Sequence, residues 1–186
     1  MNALRFLGAM TATFLLLAGA GAALAALFLP KPVRYFHTSY MEFAIPDTWR
    51  CHRTGTEFIC EPQENPEGGH RALMVVAAKH AGPMDDREAY LTHLSTPRQI
   101  ETEEGERLSV VEDARVIEVV GREWVYGAHL GSEIPGYRTR YYVSHTGNIA
   151  AAVTFSTHES AAGDYDREVD VLLGSLKLFD AEGVGK

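Results

Sequence analysis

Hydrophobic positions along the chain take three forms: a long apolar run at the start, alternating strand-like stretches, and short segments with helical spacing. Met41, Phe43 and Ile45 alternate with Glu42 and Ala44, which predicts a half-buried first strand, and Pro46-Asp47 turns the chain. Two strand-like runs then flank Gly55-Thr56. Pro62–His70, with two prolines and a Gly-Gly pair, reads as a loop. Ala72–Ala78 is uniformly apolar and suits an interior strand. Asp85 or Asp86 can cap a helix that runs to about Leu94, with Ala89, Tyr90 and Leu94 facing the core and Pro97 as a stop. Glu101–Arg107 reads as a solvated acidic loop.

The second half is strongly β. A two-residue loop at Gly121-Arg122 would pair Val119 with Trp124 and Ile117 with Tyr126. Another hairpin follows after Gly131–Gly136. A three-residue loop at His145-Thr146-Gly147 would set Val143 against Ile149, Tyr141 against Ala151, Thr139 against Val153 and Tyr137 against Phe155. That register leaves Arg138, Arg140, Tyr142 and Ser144 on the opposite face. Tyr165, Val169, Leu172, Leu173 and Leu176 fall at helical spacing, with Asp164 as cap, an end near Gly174 and a short extended tail after it. Together these elements predict an α+β fold in which an antiparallel sheet is flanked by helices.

Gly in the first position of a two-residue loop suits a type II′ turn. If Gly55-Thr56 is that loop, Cys51 faces Cys60 on a non-hydrogen-bonded pair, where side chains approach closely enough for a cross-strand disulfide. Two buried free thiols are the alternative. Such a bridge closes a short loop and stabilises mainly its own hairpin.

Phe6–Leu29 carries no charged residue. A helix of that length rises about 36 Å, enough to cross a bilayer, and residues 1–30 read as an N-terminal transmembrane anchor. A signal peptide cleaved near Ala25, at Ala23-Leu24-Ala25, is the rival reading. Ala18, Ala22 and Ala26 recur at four-residue spacing, a face that lets membrane helices pack closely, although small residues are also common in signal segments. Residues 31–38 then serve as a linker, 39–180 as a single extracytosolic domain and 181–186 as a tail. The signal-like start and the paired cysteines place that domain outside the cytosol.

Of 186 residues, 17 are Lys or Arg and 25 are Asp or Glu, a net charge of −8 that argues against nucleic-acid binding and against docking on anionic lipid. None of the eight histidines falls in an H-x-H or H-E-x-x-H spacing, so no metal site and no cofactor are expected. Ser132, His129 and Glu133 lie close in sequence, but triad members usually come from separate elements, and no catalytic residue is assigned. Arg138 and Arg140, with Tyr142, project together from one strand and form the best candidate for holding a carboxylate or an acidic partner loop; intramolecular salt bridges are the competing use.

The stretches Phe43–Trp49 (FAIPDTW), Gly136–Tyr142 (GYRTRYY) and Gly174–Leu178 (GSLKL) together resemble the PsbP-like group of photosystem II extrinsic subunits and bacterial DcrB-type envelope proteins. That resemblance implies an α/β/α sandwich used mostly for docking on protein complexes, and it brings no catalytic motif. The expectation is a membrane-anchored, extracytosolic accessory subunit of a membrane protein complex. A small-ligand module of the cell envelope, using the Arg-Tyr face, is the alternative.

Overall fold

The computed structural model describes residues 32–63, 71–102 and 105–179. The anchor or signal segment with its Ala18, Ala22 and Ala26 face, positions 64–70 of the Pro62–His70 loop and the tail at 181–186 lie outside the described residues. Among the described residues, no helix is long and apolar enough to cross a membrane.

The chain starts with β1 (Val33–His37), which pairs antiparallel with β2 (Met41–Pro46). The folded domain therefore begins inside the stretch expected to be a linker. Alternation is obscured in Val-Arg-Tyr-Phe-His because both faces stay largely exposed; Phe36 alone is half-buried, stacked on Phe43. β2 is more buried than expected, with Met41, Phe43 and Ile45 at 0% exposure. It is the middle strand of a three-stranded sheet, flanked by β1 and by the short tail strand β12 (Lys177–Leu178).

The main sheet has seven strands in the order β3 (Trp49–Thr54), β4 (Glu57–Pro62), β5 (Ala72–His80), β11 (Ile149–His158), β10 (Tyr137–Thr146), β9 (Arg122–Leu130) and β8 (Val110–Val119), every neighbouring pair antiparallel. β3 (Trp49–Thr54) and β4 (Glu57–Pro62) form the cysteine hairpin. Gly55 takes φ 62° in the first turn position, Cys51 faces Cys60, and the sulfurs are bonded at 2.05 Å. β5 (Ala72–His80) is interior as expected. Asp86 caps α1 (Arg87–Leu94) by accepting from the Ala89 N–H at 2.7 Å. The expected acidic loop is instead a two-stranded hairpin, β6 (Gln99–Thr102) with β7 (Gly105–Leu108).

β8 (Val110–Val119) and β9 (Arg122–Leu130) join through Val120-Gly121, not Gly121-Arg122, so Trp124 faces Ile117 rather than Val119. Both turn residues have positive φ (51° and 71°), the type I′ pattern, which the chain adopts despite Val in the first position. The shift of two residues keeps every side chain on its expected face.

β10 (Tyr137–Thr146) and β11 (Ile149–His158) join through a two-residue Gly147-Asn148 turn rather than a three-residue loop. Thr146 faces Ile149, Tyr142 faces Val153 and Arg140 faces Phe155. This shift is odd, so it changes which residues share a face. The gain is apolar: Tyr142, Ala151, Val153 and Phe155 enter one core with β2, β3 and β4.

α2 (Asp166–Ser175) has Tyr165 at its N-cap position, so Asp164 stands one residue too early to cap it, and its carboxylate pairs with Arg71 at 3.1 Å. Val169, Leu172 and Leu173 seal the main core against the sheet, while α1 covers the other face through Leu94, packed on Val125, Tyr141 and Val143. A Cβ on Gly127 would stand 2.9 Å from the Leu94 Cβ, so this glycine sets how closely α1 docks.

Candidate functional site

Two features meet at one side of the main sheet: an unpaired edge and a charged groove beside it. β8 is the last strand of its sheet, and among the described residues nothing pairs with its outer side. Val119 and Arg122 close a two-residue turn, so they form a hydrogen-bonded pair and the pairs alternate from there. Glu118, Val116 and Ala114 occupy non-hydrogen-bonded positions, and their backbone N–H and C=O groups point away from β9. A bulge between Val111 and Asp113 disturbs the first part of the strand, leaving Ala114–Val119 as a regular ladder edge.

The exposed apolar side chains gather here. Seven large hydrophobics are exposed among the described residues; three of them, Val110, Val116 and Val120, lie on β8 or directly after it, and a fourth, Leu108, ends β7 two residues before it. Val120, at the strained turn, is 78% exposed. The opposite edge of the same sheet is protected: β3 is only six residues long and shows Arg50, His52 and Arg53 to solvent.

Beside the edge, Arg138, Arg140, Tyr126, Glu112, Thr157 and Asp166 line a groove of about 300 Å³ between the sheet and the start of α2. Arg138 and Arg140 do project together, as expected. Both are already occupied. Glu112 takes Arg138 in a fork of 2.6 and 2.8 Å, and Asp166 accepts from Arg140 at 2.6 Å. The Glu112 hydrogen bond and charge push the Arg138 guanidinium above its ordinary pKa. Arg140 also lies 4.9 Å over the Phe155 ring, a consequence of the β10–β11 register.

Tyr142 does not belong to this surface. It is 6% exposed, edge-on to Trp124 at 6.4 Å and 5.2 Å from Tyr126. Burial pushes its phenol up to about 12, the Arg140 cation acting weakly against that shift. It is a core side chain.

Ser132, His129 and Glu133 go separate ways. His129 is fully buried and its Nε2 donates to the Leu94 carbonyl at 2.7 Å, leaving Nδ1 to accept from the Ser109 hydroxyl at 3.2 Å. A Ser–His contact is the start of nucleophile chemistry, but Ser109 is 4% exposed, so a substrate has no approach. Ser132 bonds the Tyr141 hydroxyl at 2.7 Å, and Glu133 accepts from Tyr141 and from Arg98, each at 2.6 Å. Arg98 lies 4.6 Å over the Tyr141 ring. This network fastens the β6–β7 hairpin and α1 to the sheet. Sequence reasoning missed Ser109, Arg98 and Tyr141 because their partners lie far apart in the chain. Among the described residues, no group of three or more His, Cys, Asp or Glu could hold a metal ion.

No protein-family model matches the chain, and no curated protein matches it. Solved structures do. The chain superposes over 82% of its length on 95% of cyanobacterial PsbP (CyanoP) from Synechocystis sp. PCC 6803, with TM-score 0.56 and 9% identity. It has the PsbP/Mog1-like fold. The Saccharomyces cerevisiae Ran-binding protein Mog1p matches over 81% of this chain and 97% of its own, with TM-score 0.51 and 8% identity. A Bacteroides thetaiotaomicron VPI-5482 protein matches at TM-score 0.53 and 14% identity over 79% of this chain; the chain spans only 48% of that longer protein. At such identities the likeness concerns the fold alone.

Proposed function

We propose that the protein is a non-enzymatic accessory subunit, held at a membrane by its N-terminal segment with its domain on the extracytosolic side, that docks a partner membrane protein along the outer edge of β8. The observation that carries this reading is the asymmetry of the sheet: a protected β3 edge, and a β8 edge with free backbone groups and three exposed apolar side chains. An extended partner segment adding to Ala114–Val119 would satisfy those groups and cover Val116. The Cys51–Cys60 bond supports an oxidising compartment, and the uncharged Phe6–Leu29 stretch supports the anchor. Mog1p, a Ran-binding protein by name, is one relative in fold that works by binding a protein. A small-anion role for Arg138 and Arg140 is less favoured because both already hold carboxylates.

The test uses the full chain in mild detergent. Val116→Pro removes an outward N–H without breaking an internal ladder bond. The expected result is comigration of the wild type with a larger membrane complex, lost in Val116→Pro while the thermal midpoint stays within about 3 °C, equivalent to roughly 1 kcal/mol. A monodisperse wild-type monomer, or a complex indifferent to this substitution, would sink the proposal.

A further inference from the structure

A second surface feature stands independently of the β8 edge. Past the Val125–Val143 pair, the start of β9 and the end of β10 separate, and the fork between them opens a cleft of about 290 Å³. Arg87, Arg122, Glu123, Ser144, His145 and Thr146 line it. Most of its polar groups are spoken for. Arg87 lies 3.2 Å from Glu123, and the Ser144 hydroxyl donates to the Glu123 carbonyl at 2.7 Å.

Arg122 is the exception. It is half-buried, its guanidinium lies 5.8 Å from the Trp124 ring centre, and among the described residues it has no acidic partner. Burial alone lowers its pKa, with no neighbouring carboxylate to offset the loss of water. Its buried Nη1 has no acceptor. Two residues along the same face of β9, beneath Arg122 and outside the cleft lining, the Nε1 of the fully buried Trp124 also has none. Both groups can only donate, and buried donors without acceptors are rare in folded proteins. Of the two, only Arg122 lines the cleft and carries charge, and what it lacks there is an acceptor oxygen carrying negative charge.

We propose that this cleft binds a carboxylate, with Arg122 as its anchor. Charge sets the class. Arg87 and Glu123 cancel, so Arg122 contributes a single unmatched positive charge, and one carboxylate neutralises it. A phosphate dianion would leave an excess of negative charge on a chain already at −8. The planar guanidinium fork also fits a carboxylate through two parallel hydrogen bonds. The Thr146 hydroxyl and the His145 ring offer further donors at the rim. The carboxylate can belong to a free small acid or to a peptide.

Trp124 supplies a reporter and Trp49, packed against Tyr165 and Phe155 elsewhere in the core, supplies an internal reference. Sodium acetate is titrated into the isotope-labelled full chain in detergent micelles, with sodium chloride at matched ionic strength as baseline. The expected result is a saturable shift of the Trp124 indole N–H that leaves Trp49 in place. Arg122→Met, which keeps the aliphatic stem over Trp124, abolishes the shift and raises the thermal midpoint in the absence of acetate. Arg122→Lys, which keeps the charge without the fork, weakens binding at least about tenfold, the span of a lost bidentate charged contact. The tripeptide Gly-Val-Val identifies the source: tighter binding than acetate, lost on C-terminal amidation, supports a peptide carboxylate, and equal binding supports a small acid. A Trp124 signal that stays put or drifts linearly, a saturable shift that survives in Arg122→Met, or an equal response to phosphate overturns the proposal. A trapped water in the cleft would produce the first of these.

Discussion

Replacing Val120 by Asn asks whether the tip of the β8–β9 hairpin keeps its strain for binding. Val120 holds φ 51° and Gly121 φ 71°. Asn-Gly is the favoured pair for such a turn, and Val is a poor choice because its branched Cβ crowds the backbone. A left-handed residue with a Cβ costs roughly 1–2 kcal/mol, and Asn, which adopts this region far more readily, recovers about 1–1.5 kcal/mol of it. The loss on the other side is small. Val120 is 78% exposed, and its Cγ2 lies against α2 at Gly174. Full burial of a valine contributes about 1.5–3 kcal/mol, so the buried fifth is worth about 0.5 kcal/mol. The balance is a gain of about 0.5–1 kcal/mol, or roughly 1–4 °C in the thermal midpoint of a domain this size. Reversible urea unfolding with an unchanged m-value measures it. The same variant weakens comigration with the partner complex, because it removes the most exposed apolar side chain at the end of the β8 edge. A variant less stable than wild type refutes the strain argument. One that is more stable yet binds as before refutes the link between strain and docking.

Two further predictions concern what holds this surface in place. Gly127→Ala forces a Cβ to within 2.9 Å of Leu94 and costs about 1–3 kcal/mol by overpacking. Combined with Leu94→Ala the two costs add only in part, since the second change removes Cγ and Cδ1, each 3.3 Å from the new methyl, while the Leu94 Cβ remains; strict additivity in a double-mutant cycle would refute the contact. Asp85 ties α1 to the end of β5: burial works to raise its carboxyl, but hydrogen bonds from Tyr90 and the Gly82 N–H, with the Lys79 ammonium 3.0 Å away, hold it below the ordinary aspartate value. A folded-state pKa below the unfolded one gives stability that is present above about pH 4 and lost as pH falls through the folded value. Asp85→Asn is therefore less stable than wild type by about 1–3 kcal/mol at neutral pH, and the gap narrows below about pH 4. A gap independent of pH between 6 and 3 contradicts this account.

The cysteine hairpin was legible because two independent constraints agreed: a Gly-first loop and two cysteines equidistant from it. The same loop reasoning failed at Val120-Gly121, where the chain accepts a conformation that Val opposes, although the shift of two kept Trp124 and Ile117 on the expected face. At Gly147-Asn148 the error was odd-numbered and mattered more. It hid that Arg140 lies over Phe155 and that Tyr142 enters the core. Glu112 and Asp166 stand 26 positions from the arginines they neutralise, so their pairing depends on tertiary structure that local patterning does not encode. β1 escaped notice because an edge strand with both faces largely wet shows little alternation. The Arg122 cleft was invisible for a related reason: it exists where two strands stop pairing, and pattern reading detects pairing.

The two edges of the main sheet argue for binding over catalysis. Natural sheets protect their edges with short strands, charges and bulges, since a free edge recruits any extended chain. β3 is protected in the first two ways. On β8, the bulge and the Glu112–Arg138 and Asp113–Arg115 pairs guard the first part, and then protection lapses from Ala114 to Val119, where Arg115 is engaged by Asp113 and Glu118 is the remaining ionised side chain. Were the edge merely tolerated, charge at Val116 would be the inexpensive remedy, because that side chain is 37% exposed and a lysine there would reach solvent. Val116→Lys therefore separates the two accounts. If the edge has no partner, the substitution improves solubility and changes nothing else. If a partner strand covers it, the complex is lost while the domain remains folded. The buried Ser109–His129 contact offers no comparable opening, since both side chains are sealed beneath the β6–β7 hairpin and α1.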